Sequence, residues 1–217
     1  MNRRLIVNAD DFGLSEGVNR GIIEAHAHGI VTSASLMVRW PAAAEATSLA
    51  GVNPALAVGL HVDLADAAAV TFEVSSQVER FVRLVGRPPT HIDSHQHVHN
   101  DPVVRPIVAR VGRTLGVPVR GTTPDAAYCG SFYGQDGRGF AVPEAITVES
   151  LVAIIADLPD GVTELACHAG FGDALDTTYR DERARELAAL CDPRARAALE
   201  THRVELISFA DCNPSGE

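Results

Sequence analysis

The sequence predicts an α/β protein, a (β/α) barrel of seven strands, irregular in outline and built as one domain over residues 1–217. Three observations predict it. Short apolar runs alternate with longer helical patterns along the chain, as parallel βα units do. The runs number seven, and no glycine-rich dinucleotide fingerprint follows the first, which favours a barrel, closed or incomplete, over a Rossmann sheet. No internal repeat, low-complexity tract or linker divides the chain.

Residues 5–9 read as a buried strand ended by Asp10-Asp11. Ser15 is a fitting N-cap, and Val18, Ile22, Ile23 and Ala25 form the apolar face of a helix that stops near Gly29. The β-branched, alternating stretch 30–38 is the second strand, the alanine-rich 41–49 a helix, and 57–64 the third strand. A helix over 72–85 carries Phe81, Leu84 and Val85 on one side, and 90–95 is the fourth strand, entered after Pro88-Pro89. Proline near its start marks 102–115 as a helix, and 117–120 is the fifth strand. Residues 121–146, rich in Gly, Pro and aromatics, read as an excursion loop that would shape specificity. A helix at 147–156, a strand at 163–168, helices at 181–190 and 194–202 and a strand at 204–209 complete the pattern.

At 217 residues and 46% apolar content, the chain can bury a core without disulfides or a structural metal. The net charge is −10, and all 18 basic residues are arginine. Without lysine there is no Schiff-base, pyridoxal-phosphate or P-loop chemistry. An acidic chain with scattered arginines would meet a phosphate backbone with repulsion, so nucleic acid is not an expected partner. No stretch approaches a membrane span, and the N-terminal apolar run is too short for a signal peptide. The four cysteines, Cys129, Cys167, Cys191 and Cys212, show no C-x-x-C spacing and read as reduced thiols of a cytoplasmic protein.

The polar residues cluster where strands end: Asp10 and Asp11 after the first, His61 late in the third, Asp93 and His95 in the fourth, His168 closing the sixth. In a parallel barrel these ends gather on one face, where active sites are built. Aspartate with two histidines leaves open coordination positions and suits zinc, cobalt, iron or manganese; magnesium is less expected on ligand type alone. The run Thr-His-Ile-Asp-Ser-His-Gln-His-Val-His carries four of the nine histidines. If the strand continues through it, His91, Asp93, His95, His97 and His99 share one face and Gln96 takes the other. Burying such a set for packing alone would be costly, which points to metal binding.

The segments 5–15, 29–33, 59–64, 89–99 and 164–170 (LIVNADDFGLS, GIVTS, GLHVDL, PTHIDSHQHVH, ELACHAG) together resemble the YdjC-like carbohydrate deacetylase family, which includes chitooligosaccharide deacetylases. The resemblance runs in order over almost the whole chain. It implies a NodB-like barrel and hydrolysis of an N-acetyl group from an amino sugar or oligosaccharide, aided by a divalent cation, Mg2+ by resemblance and Zn2+ as the alternative. It assigns Asp11, His61 and His95 as metal ligands, Asp10 as general base, and His168 as general acid or transition-state donor. Asp93, His91 and His97 then become candidates to orient the ligands. A homodimer is also implied. The chain departs from the family where three consecutive histidines become His95-Gln96-His97, and where Ala169 replaces a proline after Cys167-His168. Two other readings use the same residues: a metal-dependent phosphoesterase, with Arg39 or Arg120 as phosphate anchor, and a non-catalytic sugar-binding relative.

Overall fold

A computed structural model describes residues 2–65, 69–122, 126–172, 175 and 177–212. The strands are β1 (Arg3–Phe12), β2 (Ser33–Leu36), β3 (Ala57–Val62), β4 (Ile92–Ser94), β5 (Ala127–Cys129), β6 (Gly161–Cys167) and β7 (Val204–Ile207). The helices are α1 (Glu16–Ala27), α2 (Ala43–Val52), α3 (Val70–Val85), α4 (Arg105–Leu115), α5 (Val148–Ala156), α6 (Asp181–Leu190) and α7 (Pro193–His202). Among the described residues the strands form one parallel sheet in the order β4-β3-β2-β1-β6-β5, with β7 also paired to β1.

β1 is the axis of this curled sheet. One edge pairs with β6 from Arg3 to Ala9. The other is shared, Arg3–Ile6 with β7 and Asn8 onward with β2. Every residue from Leu5 to Phe12 is buried, as a strand covered on both faces requires. The apolar faces of α1, α3 and α5 close over it through Val18, Ile22, Phe81, Leu151 and Ile155. The N-cap expected at Ser15 is present, its side chain accepting from Val18 N–H, and Thr147, expected as the first residue of its helix, is instead its N-cap, accepting from Ser150 N–H. No helix among the described residues is long and apolar enough to cross a membrane, and none of the four cysteines is in a disulfide.

Two expectations need correction. Residues 117–120 do not form a named strand. They run beside β4 through a single parallel bridge between Ile92 and Val119, because Gly116 (φ 68°) and Gly121 (φ 64°) turn the chain sharply at either end. The fifth strand lies instead at Ala127–Cys129, inside the segment expected to be a loop, where it pairs with β6. The histidine run also does not continue as a strand. β4 stops at Ser94, and His95–Asn100 is a 3-10 segment with Gln96 (φ 52°) and His97 (φ 53°) in the left-handed region. The single-face alternation of His91 through His99 is therefore broken, and Gln96 lines the pocket instead of facing away from it.

Candidate active site

The C-terminal ends of β1, β3, β4 and β6 surround a cavity of about 370 Å³. Adjacent strand residues point to opposite faces, yet Asp10 and Asp11 both line this cavity. A register shift against β2 between Ala9 and Phe12, with Asp11 in the left-handed region at φ 68°, turns both carboxylates the same way. Such backbone in a non-glycine residue is uncommon and collects at functional sites.

The two oxygens of Asp11 have different partners. Oδ2 accepts from Arg183 Nη2 at 2.6 Å. Oδ1 lies 3.3 Å from His61 Nε2 and 3.2 Å from His95 Nδ1. On β3 and β4, His61 and Asp93 are direct register partners. His61 Nδ1 is 2.7 Å from Asp93 Oδ1. Asp93 is ionised, so Nδ1 carries a hydrogen toward it, which leaves Nε2 as the ring atom directed at the cavity. Burial would raise the Asp11 pKa, but Arg183, His61 and His95 overcome it and hold the carboxyl well below its ordinary range. Burial would likewise lower that of His61, but Asp93 and Asp11 push it up to about 10. His61 thus holds a proton at Nε2 that a bound cation would replace.

The donor atoms of Asp11, His61 and His95 all lie within 4.8 Å of one another. Bonds of about 2.1 Å to one ion place neighbouring donors roughly 3 Å apart, so one carboxylate oxygen and two imidazole nitrogens at 3.2 and 3.3 Å fit a divalent cation. A second grouping, Asp10, His61 and Asp93, does not fit. Arg120 lies between its carboxylates, and His61 Nδ1 is already committed.

Asp10 is gripped by Arg120, whose Nη1 and Nη2 reach its two oxygens at 2.7 Å each. Asn8 adds a hydrogen bond at 2.8 Å. Burial would raise the Asp10 pKa, but Arg120 prevails and keeps it ionised. Arg120 also contacts Asp93 at 2.8 Å and Glu164 at 2.7 Å. It is thus fully occupied by carboxylates and offers no phosphate anchor. Arg39 pairs with Glu73 at 2.6 Å and is not among the cavity-lining residues.

His168 presents Nε2 4.0 Å from Asp10 Oδ2 and Nδ1 4.0 Å from Glu186 Oε1, and its buried Nδ1 has no hydrogen-bond partner among the described residues. Burial lowers its pKa to about 4, so it is neutral at pH 7. A proline is not needed to hold it. Glu186 accepts its backbone N–H at 2.5 Å, and the next turn is tied by Gly170 N–H to Arg183 O and Phe171 N–H to Gly17 O. Tyr179 donates a very short hydrogen bond to Glu186, whose pKa burial raises to about 8.

The other candidates fall in different places. Asp93 orients His61 directly. His91 touches no cavity ligand: its Nε2–H is donated to Ser35 Oγ at 2.9 Å, and Ser35 in turn donates to Asp93 Oδ2 at 2.6 Å. His97 sits on the cavity wall, 3.2 Å from the Tyr128 hydroxyl. Sequence reasoning did not anticipate Arg183, Glu186, Tyr179, Asn8 or Ser35. Arg183 and Glu186 carried a readable signal, since they fall at helical spacing with buried Leu187 and Leu190 on α6.

The chain is similar to known proteins in sequence and in fold. The family described as YdjC-like protein matches residues 4–71 and 63–201. A carbohydrate deacetylase from Geobacillus stearothermophilus is 35% identical over 246 residues, covering 97% of this chain and 98% of that protein. A chitooligosaccharide deacetylase from Serratia marcescens is 34% identical over 258 residues, covering 97% and 100%. Among solved structures, an Enterococcus faecalis protein named for cellobiose-phosphate cleavage superposes with a TM-score of 0.80 at 26% identity, covering 97% and 99%. A family 4 carbohydrate esterase from Streptomyces lividans, in complex with acetate, shares the fold at a TM-score of 0.58 and 17% identity, covering 95% and 92%.

Proposed function

The chain belongs to the YdjC-like family, and from that premise we propose that it is a metal-dependent deacetylase that hydrolyses the N-acetyl group of an amino sugar or short oligosaccharide. The observation that carries the reading is the cavity-facing triad of Asp11, His61 and His95 beside an Asp10 held ionised by Arg120. When bound there, a divalent cation would polarise the acetamide carbonyl and an adjacent water. Asp10 accepts the proton of the water as its oxygen bonds to the carbonyl carbon. The carbon–nitrogen bond then breaks as Asp10 returns the proton to the amine nitrogen, and the acetic acid and amine so formed share the remaining water proton to leave as acetate and ammonium. Neutral His168 favours the donor role over the acid role, because an uncharged imidazole can donate a hydrogen bond to the developing oxyanion without first binding a proton. The residues occupying Arg120 argue against the phosphoesterase reading.

The test is acetate release from N-acetylglucosamine and N,N′-diacetylchitobiose, with and without chelator. The expected result is chelator-sensitive acetate release and, in Asp10→Asn, a loss of kcat of at least about 100-fold with cation content retained. Turnover indifferent to chelator, or near-normal activity of Asp10→Asn, would sink the reading. Titration of Mg2+ against Zn2+ into the chelated protein identifies the ion.

A further inference from the structure

Glu164 opens the ELACHAG segment on β6, and the chemistry above gives it no role. It is fully buried, and a buried carboxyl is costly unless a partner compensates it. That partner, Arg120, comes from a distant part of the sheet. Residues 117–120 run beside β4, at one end of the strand order, whereas β6 lies beyond β1, next to β5 at the other end. Among the described residues no backbone ladder joins 117–120 to β5. The Arg120 side chain spans this seam, touching Asp93 on β4, Asp10 on β1 and Glu164 on β6.

The contacts use different edges of the guanidinium. Nη1 and Nη2 face the two oxygens of Asp10. Nε donates to Glu164 Oε1 at 2.8 Å, and Nη2 lies 2.7 Å from the same oxygen. The Tyr128 ring covers one face, its centroid 5.3 Å from Cζ. The fork is planar and rigid, so an acceptor on the Nε edge fixes where the Nη1–Nη2 edge points. Asp93, 2.8 Å from Nη2, draws that end toward β4, and Glu164 opposes it from β6. The backbone of Arg120 supplies little of this aim: it is tied by one bridge to β4, through Arg120 N–H to Ile92 O at 3.0 Å, between the turns at Gly116 and Gly121. Nor does the position demand a charge. Burial raises the Glu164 pKa to about 7 against the pull of Arg120, and its carbonyl oxygen accepts from Nε–H in either state.

Resting on the deacetylase reading, we propose that Glu164 is a positioning residue for the general base: its oxygen holds the Nε edge of Arg120 across the seam, and so keeps the Nη1–Nη2 edge on Asp10. Asp10 is thereby fixed in the orientation from which it takes the proton of the water.

The experiment sets Glu164→Gln, which keeps length and acceptor and removes the charge, against Glu164→Asp, which keeps the charge and withdraws the acceptor by about 1.5 Å. Three quantities are read: kcat and KM for acetate release from N,N′-diacetylchitobiose, cation affinity by calorimetry, and the Arg120 Nε–H signal by NMR. In the wild type that signal should exchange slowly with water, as a buried, hydrogen-bonded N–H does. Glu164→Asp should lose the slow signal and about 10- to 100-fold in kcat, with KM and cation affinity retained. Glu164→Gln should keep the signal and lose no more than about threefold in kcat, the scale of exchanging a charge-assisted hydrogen bond for a neutral one. Normal kcat in Glu164→Asp, or a Glu164→Gln as impaired as Glu164→Asp, would overturn the proposal. So would a loss of cation affinity equal to the loss of kcat, which marks a collapse of the whole site. Absence of acetate release by the wild type would instead overturn the deacetylase reading, and this role with it, whatever the Arg120 signal shows.

Discussion

Asp11 shows how much one residue can be asked to do. Its left-handed backbone turns it beside Asp10, Arg183 takes one oxygen, and the other is left for the cavity. His61 is held in the complementary state, with Nδ1–H committed to Asp93 and Nε2 directed at Asp11. Since its pKa is raised to about 10, loading a cation at Nε2 must expel a proton near neutral pH. Cation affinity should therefore fall as pH falls, and calorimetry in buffers of different ionisation enthalpy should show proton release on binding. Asp93→Asn should weaken the cation about 10- to 100-fold while leaving all three donor residues in place; unchanged affinity would show that the Asp93 contact does not prepare His61.

At the scale of elements, four strand ends deliver the site, and the turns that follow them set its details. β4 stops at Ser94 because the next residues adopt a tight turn, Ser94 Oγ accepting His99 N–H at 2.9 Å. That turn brings His95 to Asp11 and sends His99 into the protein, so neighbours in one motif have different fates. β3 and β4 are joined just as closely beneath the site. A Cβ at Gly59 would lie 2.3 Å from the His91 ring, which is itself stacked on Phe209 at 3.8 Å. Gly59→Ala should cost about 1–3 kcal/mol in chemical denaturation. His91→Ala in the same chain should recover part of that loss, because the two substitutions share one contact. Additive losses would show that the ring and the strand are not in conflict.

Over the whole molecule, buried titratable groups make folding pH-dependent in both directions. Burial lowers His91, His99 and His168 to about 4. Between about pH 4 and 6.5 the unfolded chain therefore binds more protons at these positions, and their contribution to stability is lost as pH falls. Burial raises Glu164 to about 7 and Glu186 to about 8, while the carboxylates around His61 raise it to about 10 against its own burial. Above pH 6.5 the folded chain binds more protons at these three, so stability declines as pH rises. Below 6.5 the two glutamates oppose the three histidines without outweighing them. Denaturant melts in the presence of chelator should peak near pH 6.5, with a slope of about 1.4 kcal/mol per pH unit for each net proton. Saturating cation should flatten the alkaline limb by replacing the His61 proton. A monotonic profile from pH 5 to 8 would contradict this set of buried states.

Sequence alone determined the alternation of strands and helices, the gathering of Asp10, Asp11, His61, Asp93, His95 and His168 at strand ends, and the family. Apolar periodicity and local motifs are short-range properties, so they are legible in one dimension. The tertiary structure decided what lies between those residues. Sequence offered Arg120 only as a phosphate anchor and assigned Arg183, Glu164 and Glu186 no partner, and only folding brings these four against carboxylates and histidines up to 172 positions away. It also decided that β5 lies within the expected loop, because a three-residue strand is stabilised by its β6 partner rather than by its own sequence. The divergent roles of His91, His95, His97 and His99 follow from two left-handed residues, a backbone choice made by packing and hydrogen bonding around the turn.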